Sequence, residues 1–140
     1  MAALTGRMSL DLLHPAGAQD PARWLGAVTG LDSITTTAAD IAPVHALRDS
    51  VRRTAARAAA GAPASIVDRL ALNAAAAVTP PRPVLRPDGR RSVDRPVPVP
   101  EVLSLLARDA IDLFGGPLAA RIRMCAGCGL PYVAWPARHC

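Results

Sequence analysis

Near the C-terminal end of a 140-residue chain stand its three cysteines, Cys125, Cys128 and Cys140. The first two form Cys-x-x-Cys followed by Gly129. Two intervening residues let both thiolates reach one cation, and a glycine at the turn lets backbone N–H groups point at the sulfurs. A tetrahedral Zn2+ site then needs a second ligand pair one small hairpin away. Cys140 supplies one member. His139 is the candidate for the other, although adjacent side chains seldom turn toward the same ion. Arg121, Arg123 and Arg138 surround these donors and are the candidate nucleic-acid-contacting residues. The competing reading of Cys125-Ala-Gly-Cys128 is a redox pair. Such a pair sits at a helix start after a strand in a βαβ unit, and no such unit precedes it. The chain has no Gly-x-Ser-x-Gly, P-loop or Gly-x-Gly-x-x-Gly, so no enzyme is expected.

The elements that must position this segment are mainly helical. Met8 to Leu13 is a short apolar run that fits an edge strand or one helical turn. Asp20-Pro21 reads as a helix start, with Asp20 as cap, Trp24, Leu25 and Val28 on one face, and Gly30 as the stop. Trp24 is expected in the core. Leu31 to Thr37 reads as a loop. Thr37-Ala-Ala-Asp40 resembles a capping box for a single turn, with a fresh helix from Pro43. In that helix Val44, Leu47, Val51, Ala55 and Ala58 recur at core spacing. Arg48, Arg52, Arg53 and Arg57 take the remaining positions, as a solvated face or a phosphate-facing one. His45 and Asp49 are spaced for a surface pair. Ala62-Pro63 opens a further helix, with Ile66, Val67, Leu70, Ala71 and Ala74 as its expected buried face. Arg82 to Pro96 changes character: Val84-Leu85 and Ser92-Val93 flank Asp88-Gly89, a hairpin turn signal. Its arginines 82, 86, 90, 91 and 95 make it a candidate wing for nucleic acid. Pro96 to Pro100 is an extended connector. A last helix, Glu101 to Phe114, turns Leu103, Leu106, Ala110 and Leu113 one way, with Val102, Leu105 and Phe114 beside them.

Composition bounds this reading. Hydrophobic residues are 51% and aromatics 3%, so the core must be aliphatic and Ala-rich. The net charge is +5 and every basic residue is Arg, which favours an anionic partner without requiring one. No signal peptide and no apolar run of membrane-spanning length is visible, so a cytoplasmic location off the membrane is expected. An odd cysteine count in a reducing compartment argues against a disulfide framework.

Arg121, Arg123, Cys125, Cys128, Gly129, Tyr132, Arg138 and Cys140 fall in an order that resembles the bacterial CGNR zinc-finger family. Upstream, Ser9-Leu-Asp-Leu12, Trp24-Leu25, Ala46-Leu-Arg-Asp-Ser-Val51 and Leu70-Ala-Leu-Asn73 resemble short motifs of its helical ABATE domain. The resemblance implies a bacterial transcription regulator. Residues 1–117 would form the helical domain, with a short hairpin at about 82–96, and residues 118–140 an incomplete zinc knuckle. A DNA-contacting finger, a sensing or dimerising helical region and a small-molecule effector are implied with it. The Cys-Gly-Asn-Arg motif and basic tail of that family are not found before the sequence ends at Cys140, so weak DNA binding is expected. The hairpin arginines would add to it only if they share a face with the knuckle. The alternative is a ligand-binding or protein-interaction module with a degenerate knuckle. The fold expected is mainly α: a small Ala-rich helical domain with one hairpin and a knuckle-like C-terminal hairpin.

Overall fold

The computed structural model describes residues 7–14, 20–134 and 140. Five α-helices lie among these residues: α1 (Met8–Asp11), α2 (Pro21–Thr29), α3 (Ile41–Ala59), α4 (Ile66–Ala77) and α5 (Val99–Phe114). Six short strands accompany them: β1 (Ile34–Thr35), β2 (Pro83–Leu85), β3 (Arg91–Val93), β4 (Val97–Pro98), β5 (Ile122–Met124) and β6 (Pro131–Val133). Among the described residues, no helix is long and apolar enough to cross a membrane.

α5 is the hub. Val99, Val102, Leu106, Ala107, Ala110 and Leu113 are at most 1% exposed, and the helix touches α1, α2, α3 and α4. The expected apolar face is therefore buried together with Val102 beside it, and it widens to Ala107 because neighbours close on several sides. Asp109 holds α1 from the far side. Its carboxylate accepts from the N–H and Oγ of Ser9 at 3.0 and 2.5 Å and pairs with Arg7 at 3.1 Å. The Met8 run is thus helical, with its polar Ser9 fully buried on Asp109.

Local signals fix most helix ends. The Asp20 side chain accepts from the Arg23 N–H with Pro21 in the first turn, and the Thr37–Asp40 capping box closes a 3-10 turn over Ala38–Asp40. The following helix starts at Ile41 rather than Pro43. Proline is tolerated in a first turn, whose N–H groups lack intrahelical partners in any case. Trp24 is a core residue, 8% exposed, with its indole N–H donating to the Asp11 carbonyl. The stretch expected to be a loop contains β1. It pairs in parallel with β4, Ile34 opposite Val97, so the proline-rich connector runs as a strand with Val97 fully buried.

Two expectations for the helices fail. Arg48 is not on the solvated face of α3. It is 6% exposed and donates to the His14 carbonyl, and burial pushes its pKa down. The larger reversal is α4. Ile66, Val67, Leu70, Ala71 and Ala74 are exposed, and Asp68 and Leu72 are buried. The helix begins after Ser65, which caps it by accepting from the Asp68 N–H. Asp68 turns inward because Arg53 of α3 meets its carboxylate through Nε and Nη2, at 2.7 to 3.2 Å. At the other end, Arg108 of α5 donates to the Ala76 carbonyl, which a helix terminus leaves without an intrahelical partner, and the Ser104 hydroxyl donates to the Val78 carbonyl. These polar clamps set the rotation of a helix whose Ala-rich sequence specifies it weakly.

Candidate metal and nucleic-acid site

The C-terminal segment folds as an antiparallel ribbon. β5 and β6 pair with Ile122 opposite Val133, Arg123 opposite Tyr132 and Met124 opposite Pro131. Alternation along a strand puts Ile122 and Val133 on one face. Both are buried, and the ribbon packs on α3. Arg123 and Tyr132 occupy the opposite face. The connecting turn follows from its residue types. Gly129 donates its N–H to the Cys125 carbonyl at 2.8 Å, and Cys125 donates to the Leu130 carbonyl at 2.9 Å. Gly129 has φ 75°, a left-handed conformation that a side chain disfavours, so the glycine after the second cysteine is a backbone requirement.

The fold brings two of the three cysteines together. Cys125 and Cys140 are joined as a disulfide, with their Cα atoms 5.6 Å apart across a sequence separation of 15 residues. This departs from the expectation that the odd cysteine count disfavours such a bond. Cys125 is 7% exposed, whereas Cys128 is a free, exposed thiol. Among the described residues, no group of three or more His, Cys, Asp or Glu side chains is gathered for a metal ion. The chemistry of the donor set suits Zn2+, because thiolates are its preferred soft ligands. A thiolate bonded to its neighbour cannot ligate, however, so the disulfide arrangement does not itself fit the ion. His139 and Arg138 lie outside the described residues.

The arginines divide into engaged and open groups. Arg123 donates from Nη1 to the Ala120 and Ile122 carbonyls, both at 2.9 Å. Arg121 is exposed at the end of the 3-10 segment Pro117–Arg121 and also has an interaction within the chain. Asp49 pairs with Arg52 at 2.9 Å and not with His45, which is exposed. Hydrogen bonds from Arg53 lower the pKa of Asp68 from its ordinary value, and the same bonds raise that of Arg53. Most of the helix α3 basic run therefore has partners within the chain.

The Asp88-Gly89 hairpin forms as expected, with Val84 opposite Ser92 and Gly89 at φ 82°. At its base Arg82 pairs with Asp94 and Arg95 with Glu101, at 2.6 and 2.7 Å. The first contact holds Asp94 below its ordinary pKa, and the second raises that of Arg95. Among the described residues, no ion pair engages Arg86, Arg90 or Arg91. The hairpin lies beside Leu105 of α5, whereas Leu103 lines a groove with Leu47 of α3. Two residues are about 200° apart around a helix. Hairpin and ribbon-bearing α3 thus lie against different sides of α5.

A further cavity, of about 360 Å3, opens between α2, the capping-box turn, α3 and α5. Leu25, Ile41, Val44 and Val99 form its apolar wall and Thr36, Thr37 and Asp40 its polar rim. Nothing in the local sequence pattern marks it, because its walls come from four separate elements.

The family model ABATE, described as "Putative stress-induced transcription regulator", matches residues 6–117. That span holds the helices and the Arg-rich hairpin and stops short of the β5–β6 ribbon. No curated protein and no solved structure matches the chain.

Proposed function

Because the chain belongs to the ABATE family, we propose that it is a non-enzymatic transcription regulator that binds duplex DNA weakly and non-specifically through its C-terminal ribbon. The family description supports a regulator in outline; the ribbon, the metal and the strength of the DNA contact are the reading offered here. In the reduced chain Cys125, Cys128 and Cys140, with His139, would hold Zn2+, which would supply structural closure of the ribbon and no chemistry. The fold already seats Cys125 beside Cys140, and Cys128 is one turn from Cys125. Arg121, Arg123 and Arg138 are the phosphate contacts of this reading.

One observation supports the weakness of the contact: many of the arginines outside the ribbon already have partners within the fold. Arg7, Arg52, Arg53, Arg82 and Arg95 are in ion pairs, Arg48 is buried, and Arg57 and Arg108 donate to carbonyls. Each neutralised phosphate contributes about −0.9 to the slope of log K against log salt, so three contacts give roughly −3.

The test is a salt titration of duplex binding by reduced, zinc-supplied protein, repeated with Arg121 and Arg123 replaced by Ala and repeated with a chelator. A slope near −3 that falls by about one per arginine, and that the chelator abolishes, is the expected result. Sequence-selective nanomolar binding at ~0.15 M salt, the physiological ionic strength, would refute the weak-contact reading. A slope untouched by the two substitutions would move the contact off the ribbon.

A second reading, binding of a small-molecule effector, is favoured by the cavity between α2, α3 and α5. Its volume of about 360 Å3 lies in the range of small-ligand sites, and its mainly apolar wall with a Thr rim suits a compact, mostly apolar molecule with one polar group.

A further inference from the structure

α4 turns its apolar side to solvent. Ile66, Val67 and Leu70 are 69%, 73% and 56% exposed, and Ala71 and Ala74 are exposed beside them. These positions span about 140° of the helix, a contiguous apolar face at 3.6 residues per turn. The face runs on over Val78, 38% exposed, and into a groove of about 420 Å3 between the C-terminal half of α4, α3 and the start of α5. A contiguous apolar face of this kind often marks an interaction site.

We propose that this face is a homodimer interface, in which the α4 helices of two copies pack antiparallel about a two-fold axis near Leu70 and Ala71. The inference goes beyond the regulator reading and does not depend on DNA binding. Charge selects both the occupant and the direction. The N-terminal end of the face is flanked by Arg57, near Val67. The groove at the other end is rimmed by Asp40. An antiparallel two-fold sets the basic end of one copy against the acidic end of the other. A parallel pairing would set like against like. The opposed direction also brings opposite ends of the two helix dipoles together. Ala71 and Ala74 at the centre leave no bulk to hold the helix axes apart.

The area agrees with a modest self-association. A branched aliphatic side chain buries on the order of 100 Å2. The exposed Ile, Val and Leu side chains with the alanines then give roughly 500 Å2 per copy, about 1,000 Å2 for the pair, at the threshold of a specific interface. Isologous contact doubles the face without requiring a second complementary surface.

The test is sedimentation equilibrium of the full chain from about 1 to several hundred μM, a range set by the micromolar end known for larger interfaces. Concentration-dependent dimer is expected for the wild type. Leu70→Glu, at an exposed position, should keep the same helical circular dichroism and remain monomeric throughout. A wild type that stays monomeric overturns the proposal, as does a dimer that Leu70→Glu leaves intact. The direction is read by cross-linking in a Cys128→Ser background. Mixed Val67→Cys and Ala74→Cys copies should oxidise to a covalent heterodimer. Val67→Cys alone should not, because its two copies lie about 10 Å apart along the axis, beyond disulfide reach. Cross-linking of Val67→Cys with itself and not with Ala74→Cys would overturn the antiparallel arrangement.

Discussion

α5 and α4 are both apolar helices flanked by prolines, and they meet the rest of the molecule in opposite ways. α5 is covered on several sides and keeps its leucines and valines from water. α4 buries an aspartate and one leucine, Leu72, and shows solvent its isoleucine, valine and a second leucine. The difference lies in pattern. α5 sets Glu101, Arg108, Asp109 and Asp112 against an apolar stripe, so its rotation follows from hydrophobic periodicity. α4 has only Asp68, Arg69 and Asn73 as polar residues. Nearly every rotation buries apolar surface, and the decision passes to the strongest polar contact. That contact is Arg53 with Asp68, supported by the Ser65 hydroxyl.

The contrast can be broken most forcefully in α5. Leu106→Ala, at a fully buried position, should destabilise the chain by about 2–5 kcal/mol, the range for deleting a well-packed core leucine. Chemical denaturation would show it as a lower midpoint at unchanged slope.

A smaller effect is expected at the clamp. Asp68→Ala removes charge-assisted hydrogen bonds whose partner Arg53 is exposed, so solvent screening should keep the loss below that of Leu106→Ala. Acid titration sharpens this. Arg53 depresses the folded-state pKa of Asp68, so the carboxylate's contribution is fully present above its unfolded value, near ~3.9, and is lost as pH falls through the lower folded value. The gap between wild type and Asp68→Ala should hold steady from neutral pH to about 5 and narrow only below about 4. A gap that closes between pH 6 and 7 would point to a different titrating group.

The smallest effect is expected on the outer face. Leu70→Ala, measured in dilute protein, should change stability by no more than about 0.5 kcal/mol, as for an exposed site. A loss comparable to that of Leu106→Ala would mean that α4 is rotated and its apolar face is inside.

How much was legible in the sequence follows the range of the forces involved. The helix caps at Asp20, Ser65 and the Thr37–Asp40 box are made between residues a few positions apart. Of these, Asp20 and the capping box are legible directly, while the Ala62-Pro63 signal lies ahead of the true cap, Ser65. The Asp88-Gly89 turn and the Cys125–Gly129 turn are local too, since each depends on a glycine that accepts a left-handed φ. The amphipathic stripe of α5 needed only its own period.

Contacts between distant segments were beyond that reach. Arg48 looked like its neighbours Arg52 and Arg53, yet only Arg48 is buried, because the α1 turn lies over it and offers the His14 carbonyl. β1 and β4 carry no alternation that marks them as partners, and their parallel pairing depends on α5 and α2 bringing them side by side. The cysteine spacing indicated that Cys125 and Cys128 share a turn. It did not indicate that Cys140 would bond to Cys125, since that requires the intervening ribbon to fold back on α3. By itself, then, the sequence determined which stretches form helices and tight turns, and several of their caps, because near neighbours satisfy those backbone groups. Only the tertiary structure decided which side of α4 faces the core, because that choice rests on a buried carboxylate finding an arginine fifteen residues away on another helix.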